Sequence, residues 1–101
     1  MTVALGASAA HMREAAAAID RAPMDNAMLA ALSVRLCVEA SATATLAAAG
    51  RALGAGPLCK DPAIASLFAD LPVFMRQSHA ERDLEAVGRL VAAAAEAPWT
   101  L

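Results

Sequence analysis

Arg76-Gln77-Ser78-His79-Ala80-Glu81-Arg82-Asp83 stands between two apolar helical patterns, and its reading decides whether the C-terminal third is one helix or two. Seven of the eight residues are polar in a chain that is 59% hydrophobic, and one of the two histidines lies here. Such a run is either a helix face turned to water or a polar break between helices. It is also the first place to look for chemistry. On a continuous helix, His79 and Asp83 are four residues apart, so the carboxylate would accept from the imidazole, fix its tautomer and raise its basicity. Ser78 and Arg82 share the same spacing. A histidine backed by a carboxylate can act as a general base. The run is not HExxH, which needs two histidines, so metalloprotease chemistry does not follow.

Upstream, Ile64, Leu67, Phe68, Leu71, Phe74 and Met75 keep one helical stripe through Pro72. The unbroken period predicts a kink at Pro72 rather than a stop at Asp70. Asp61-Pro62 starts this helix, with Asp as N-cap and Pro at the first turn. Downstream, Leu84, Val87, Leu90 and Val91 restore an apolar face to about Glu96. Pro98 to Leu101 is a tail, in which Trp99 either packs onto the helices or is covered by something else. The third helix therefore spans about 62–96, with a kink or break near 72–79.

Two further helices precede it. The first runs over 3–21 with Leu5, Met12, Ala16 and Ile19 as its apolar period, and Pro23 ends it. His11 reads as a surface residue. The second runs over 26–53 from an N-cap at Asp25, with Leu29, Leu32, Leu36, Thr43, Leu46 and Leu53 as its stripe. Arg35 and Glu39 pair on an outer face. Ala40 to Thr45 is built of small residues, which suits close helix contact. Gly50, Gly54 and Gly56 with Pro57 close this helix in a turn. They follow a helix, not a strand, so they match neither GxGxxG nor a P-loop.

Period-2 alternation is missing, so the expected fold is all-α: an up-down antiparallel helical bundle in a single domain, 1–101. Thirty alanines favour helix but bring little apolar area, so the core is thin and a partner surface is expected to complete it. The net charge of -2, with basic and acidic residues interleaved, argues against nucleic acid. Cys37 and Cys59 form no metal pattern, and Cys37 reads as a buried thiol in a reducing, cytoplasmic setting. Uncharged stretches of about a dozen residues fall short of the ~18–20 a membrane span needs. The N-terminus lacks a basic n-region, so no signal peptide is expected, and a start inside a helical pattern fits a piece of a longer chain.

Two runs carry a resemblance. Ala49-Gly50-Arg51-Ala52-Leu53-Gly54-Ala55-Gly56-Pro57-Leu58-Cys59-Lys60-Asp61 and Ala69 to Leu84 resemble the C-terminal helical domain of the acyl-CoA dehydrogenase family, most of all its divergent actinobacterial-type members. Arg35 to Ala40 fits the same domain, and the resemblance covers about residues 3 to 91. It implies an FAD flavoprotein that oxidises the α,β carbons of an acyl-CoA, or a related flavin monooxygenase. It further implies a C-terminal domain at the centre of a dimer or tetramer. By the same resemblance, Gly50, Arg51 and Gly54 approach the flavin of a neighbouring subunit, with Arg76 as a further cofactor contact, and His79 or Glu81 is the catalytic base. The family's Glu-Gly-Thr segment and its Arg-x-Gln-Phe-Gly helix start are missing. With neither the family's N-terminal helical domain nor its β-domain in the chain, no dehydrogenase activity is expected of it alone. Outside the resemblance, a non-catalytic helical module that oligomerises through Ala-rich faces is the alternative, and a ligand-binding helical bundle is a third.

Overall fold

A computed structural model describes residues 1–95 of the chain. Among them are five helices and no strand: α1 (Thr2–Arg21), α2 (Met28–Leu53), α3 (Ala55–Lys60), α4 (Pro62–Met75) and α5 (Ala80–Ala93). The all-α bundle expected from the alanine content and the 3.6 period is what forms. The last helix, expected to reach about Glu96, ends at Ala93, where Ala94 turns extended, and the Trp99 tail lies outside the described residues.

The helix α2 is the spine. Its 26 residues span about 39 Å, and α1, α3, α4 and α5 all pack on it. It is long and apolar enough by length and hydropathy to cross a bilayer, which the count of uncharged stretches did not anticipate. In this structure it instead serves as the helix on which the others rest. The pairs that touch fix the directions. Ser8 meets Ser41 and Ala4 meets Ser41, while Ala18 and Ile19 lie beside Ala27 and Ala30, so α1 runs antiparallel to α2. Phe68 packs on Gly50 and Met75 on Arg35, so α4 does too.

Capping explains most of the boundaries. Asp61 Oδ1 accepts from the amides of Ala63 and Ile64 at 2.9 and 3.2 Å, and with Pro62 it starts α4 as the sequence predicts. At α2 the expected cap does not form. Asn26, not Asp25, accepts from the Met28 amide, and the helix begins at Met28. Pro72 lies inside α4, which carries on to Met75, so the helix does not stop at Asp70 and the break falls at 76–79.

The glycine-rich turn differs from expectation. Gly50 stays inside α2, and Gly56 and Pro57 belong to the short α3. Only Gly54 turns the chain, with φ +68. That left-handed conformation excludes a Cβ at little cost only for glycine. Gly54→Ala should therefore destabilise by about 1 kcal/mol, whereas Gly88→Ala, in open space within α5, should stabilise by up to about 1 kcal/mol. Thermal melts of the two variants give the opposite signs directly.

What the helices do not build is a sealed core. Among the described residues no apolar side chain is fully buried, and the single buried residue is Ser8. The α1 helix faces α2 with Ala4, Ser8, Ala15 and Ala18. Its expected apolar stripe, Leu5, Met12 and Ile19, stays exposed, because the close approach of small residues selects the alanine face instead. The chain measures 53 × 25 × 23 Å with a radius of gyration of 16.7 Å, against about 13 Å for a compact domain of this length.

Candidate functional site

The polar run that divides α4 from α5 folds into the wall of a cavity. Its volume is about 570 Å³, and it is lined by Glu39, Thr43 and Leu46 of α2, by Pro72 and Met75 of α4, and by Arg76 to Glu81 at the junction except Gln77. Three of the residues expected at a site, Arg76, His79 and Glu81, are thus brought together. All three are exposed at its rim.

The local backbone decides what His79 can do. It is the N-cap of α5, with φ -99 and ψ 86, and its side chain makes no capping bond. The expected pairing with Asp83 required both residues on one helix. His79 stands outside it, so only its carbonyl meets Asp83, accepting from the Asp83 amide at 3.0 Å. The Ser78–Arg82 pair fails for the same reason. Among the described residues no carboxylate orients the His79 ring, which a general base of the expected kind needs.

The α2 side of the cavity is better built. Arg35, Glu39 and Thr43 are four residues apart and share one face. Arg35 Nη2 donates to the Met75 carbonyl at 2.7 Å, and its Nη1 stands 2.9 Å from Glu39 Oε2. Thr43 Oγ1 lies 4.0 Å from Met75 Sδ. The Arg35–Glu39 pair was expected on an outer face. It instead lies partly buried against the end of α4, because that end presents carbonyls without helical donors. Glu39 Oε2 and Ser78 Oγ are both sealed from solvent without an aligned hydrogen bond, so a molecule in the cavity does not reach either atom as it stands. Residue spacing pairs Arg35 with Glu39; the signal for a site was the row extending to Thr43 on an apolar helix.

Of the expected flavin contacts, Arg76 lines the cavity and the other three lie elsewhere. Gly50, Arg51 and Gly54 do not line the cavity. A Cβ at Gly50 would stand 3.2 Å from the Phe68 ring, so Gly50 serves helix packing and offers no open cradle for a phosphate. Arg51 and Gly54 are exposed at the end of α2 and remain accessible to another subunit. The cysteines do not join either group. Cys37 is half-buried, with Sγ 3.7 Å from Ser8 Oγ, and Cys59 is exposed. No family model, curated protein or solved structure matches the chain.

Proposed function

We propose that this chain is a helical assembly domain of an acyl-CoA dehydrogenase-like FAD oxidoreductase, which helps form the oligomer core and one wall of the flavin and substrate site. The observation that carries the assembly role is the missing sealed core. The chain exposes 7457 Å², against about 5,300 Å² for a folded monomer of its mass. The surplus, about 2,000 Å² per chain, is more than the ~800 Å² that one partner contributes to a standard subunit interface. The apolar side chains that produce it include Leu5, Met12, Leu67, Val73, Phe74 and Leu84.

The oxidoreductase part rests on the two sequence runs. The gathering of Arg76, His79 and Glu81 on one cavity wall supports it. The fit to FAD is partial: Arg51 and Gly54 are open to it, Gly50 is not. In this reading the chain contributes Arg76, His79 and Glu81 as polar groups that orient a bound substrate, and the rest of the site comes from other protein. A second reading, a non-catalytic oligomerisation module, is favoured by the unsupported His79 ring.

Flavin absorbance separates them. The purified chain alone should carry no flavin and oxidise no acyl-CoA when FAD and an electron acceptor are added. Purification of the chain from its native cells under mild conditions should yield a complex that contains both this chain and a larger flavin-bearing protein. A flavin-free complex, or none, leaves the module reading; turnover by the isolated chain overturns the division of labour.

A further inference from the structure

Among the described helices, α3 and α4 form an arm that packs on α2 alone. Neither α1 nor α5 holds it. At one end it begins from Gly54, whose φ of +68 breaks the helical path. At the other it ends in the non-helical junction 76–79. Between these ends, Pro72 removes one backbone donor from α4 and weakens the helix near its end. The arm therefore has a hinge at each end and rests on one surface.

That resting surface is thin, apart from one side chain. Phe68 lies against Gly50, and Met75 sits under the row Arg35, Glu39 and Thr43. The Met75 carbonyl is a terminal helix acceptor, without a donor from its own helix. Arg35 supplies that donor, and the contact is charge-assisted. Glu39, one turn along α2, holds the other guanidinium nitrogen at 2.9 Å. One planar group thus spans a carbonyl on the arm and a carboxylate on the spine, a geometry that suits arginine and not lysine. Neighbouring carbonyls of the α4 end are satisfied locally: Pro72 accepts from the Arg76 amide and side chain, and Phe74 from the Gln77 amide.

We propose that Arg35 is a latch that holds the α3–α4 arm against α2, and that its release lets the arm swing on Gly54 and the 76–79 junction and opens the cavity. The inference concerns this chain's own packing and stands whether or not a flavin binds. Arg35 is a positioning residue: it sets where residues 76–81 stand without itself lining the cavity.

Hydrogen–deuterium exchange of the full chain tests this. Arg35→Ala keeps a good helix former in α2, so the spine should persist, which far-UV circular dichroism checks. Amides of α4 and the 76–79 junction should exchange roughly tenfold to a hundredfold faster, as expected for loss of a hydrogen bond to a charged group. Those of α1 should not change. Glu39→Gln, which keeps volume but drops the charge, should give a smaller acceleration in the same segment. Unchanged exchange at 68–79 in Arg35→Ala overturns the latch. So does an equal acceleration across α1, which would make Arg35 a general stabiliser. If Arg35→Ala loses its helicity, Glu39→Gln decides: acceleration confined to the arm supports the latch, and uniform or absent acceleration overturns it.

Discussion

Replacing Ser8 with leucine should detach α1 from the rest of the molecule. Ser8 is the one buried residue among those described, and it sits where α1 and α2 approach through small side chains. Its Oγ lies 2.7 Å from Ser41 Oγ. A leucine there adds three carbons to a closed seam and removes the partner of a second hydroxyl. Overpacking and the lost Ser8–Ser41 hydrogen bond together cost about 2 kcal/mol or more. Among the described helices, α1 packs on α2 alone, so no other helix contact recovers that loss. Exchange protection should vanish over the 20 residues of α1 while α5 keeps its own. Ser8→Ala is the control. It fits the seam, Ser41 still faces the Ala4 carbonyl at 3.4 Å, and about 1 kcal/mol should be lost. Equal protection of α1 in the leucine variant would refute the account.

The second large effect should appear in association. Leu67 and Phe74 are seven residues apart on α4 and 68% and 73% exposed. Glutamate at both positions should change the stability of a single chain by less than about 0.5 kcal/mol per site, as for other surface substitutions. Burying a leucine and a phenylalanine in an interface contributes about 1.5–3 kcal/mol each. Losing both should weaken assembly by roughly a hundredfold or more. In sedimentation, the natural chain should associate at concentrations where the double variant stays monomeric. Its melting temperature should rise with concentration, and that of the variant should not. A natural chain that is monomeric, with a melting temperature independent of concentration, would contradict a core completed by a partner.

Helix existence was legible because alanine and the 3.6 period act locally. Asp61-Pro62 named a helix start, and the stripe through Pro72 correctly carried α4 to Met75. Helix faces were less legible. Leu5, Met12 and Ile19 are the most apolar set on α1, yet the face with Ala4 and Ser8 makes the contact. Hydropathy ranks a face by what it gains from burial, while close packing depends on how little protrudes. Gly50, Gly54 and Gly56 with Pro57 read as one turn because glycine and proline punctuate the sequence there. Pro57 instead sits where the first turn of a short helix accepts it. At the candidate site, Arg76, His79 and Glu81 were found by residue type. Glu39 and Thr43 were missed as site residues because their role depends on which helix end lies opposite.

An alanine-faced helix pair has a further consequence. Ala4, Ala15 and Ala18 present an almost featureless surface, and α1 slid by one turn along α2 would lose little apolar contact. The hydroxyls of Ser8 and Ser41 remove that freedom. A shift of one turn would separate them and leave two polar groups in a dry seam, at about 1–3 kcal/mol each. Alignment and adhesion are thus separate jobs here: the alanines bring the helices together, and one pair of hydroxyls chooses among the otherwise equivalent positions in which they could lie.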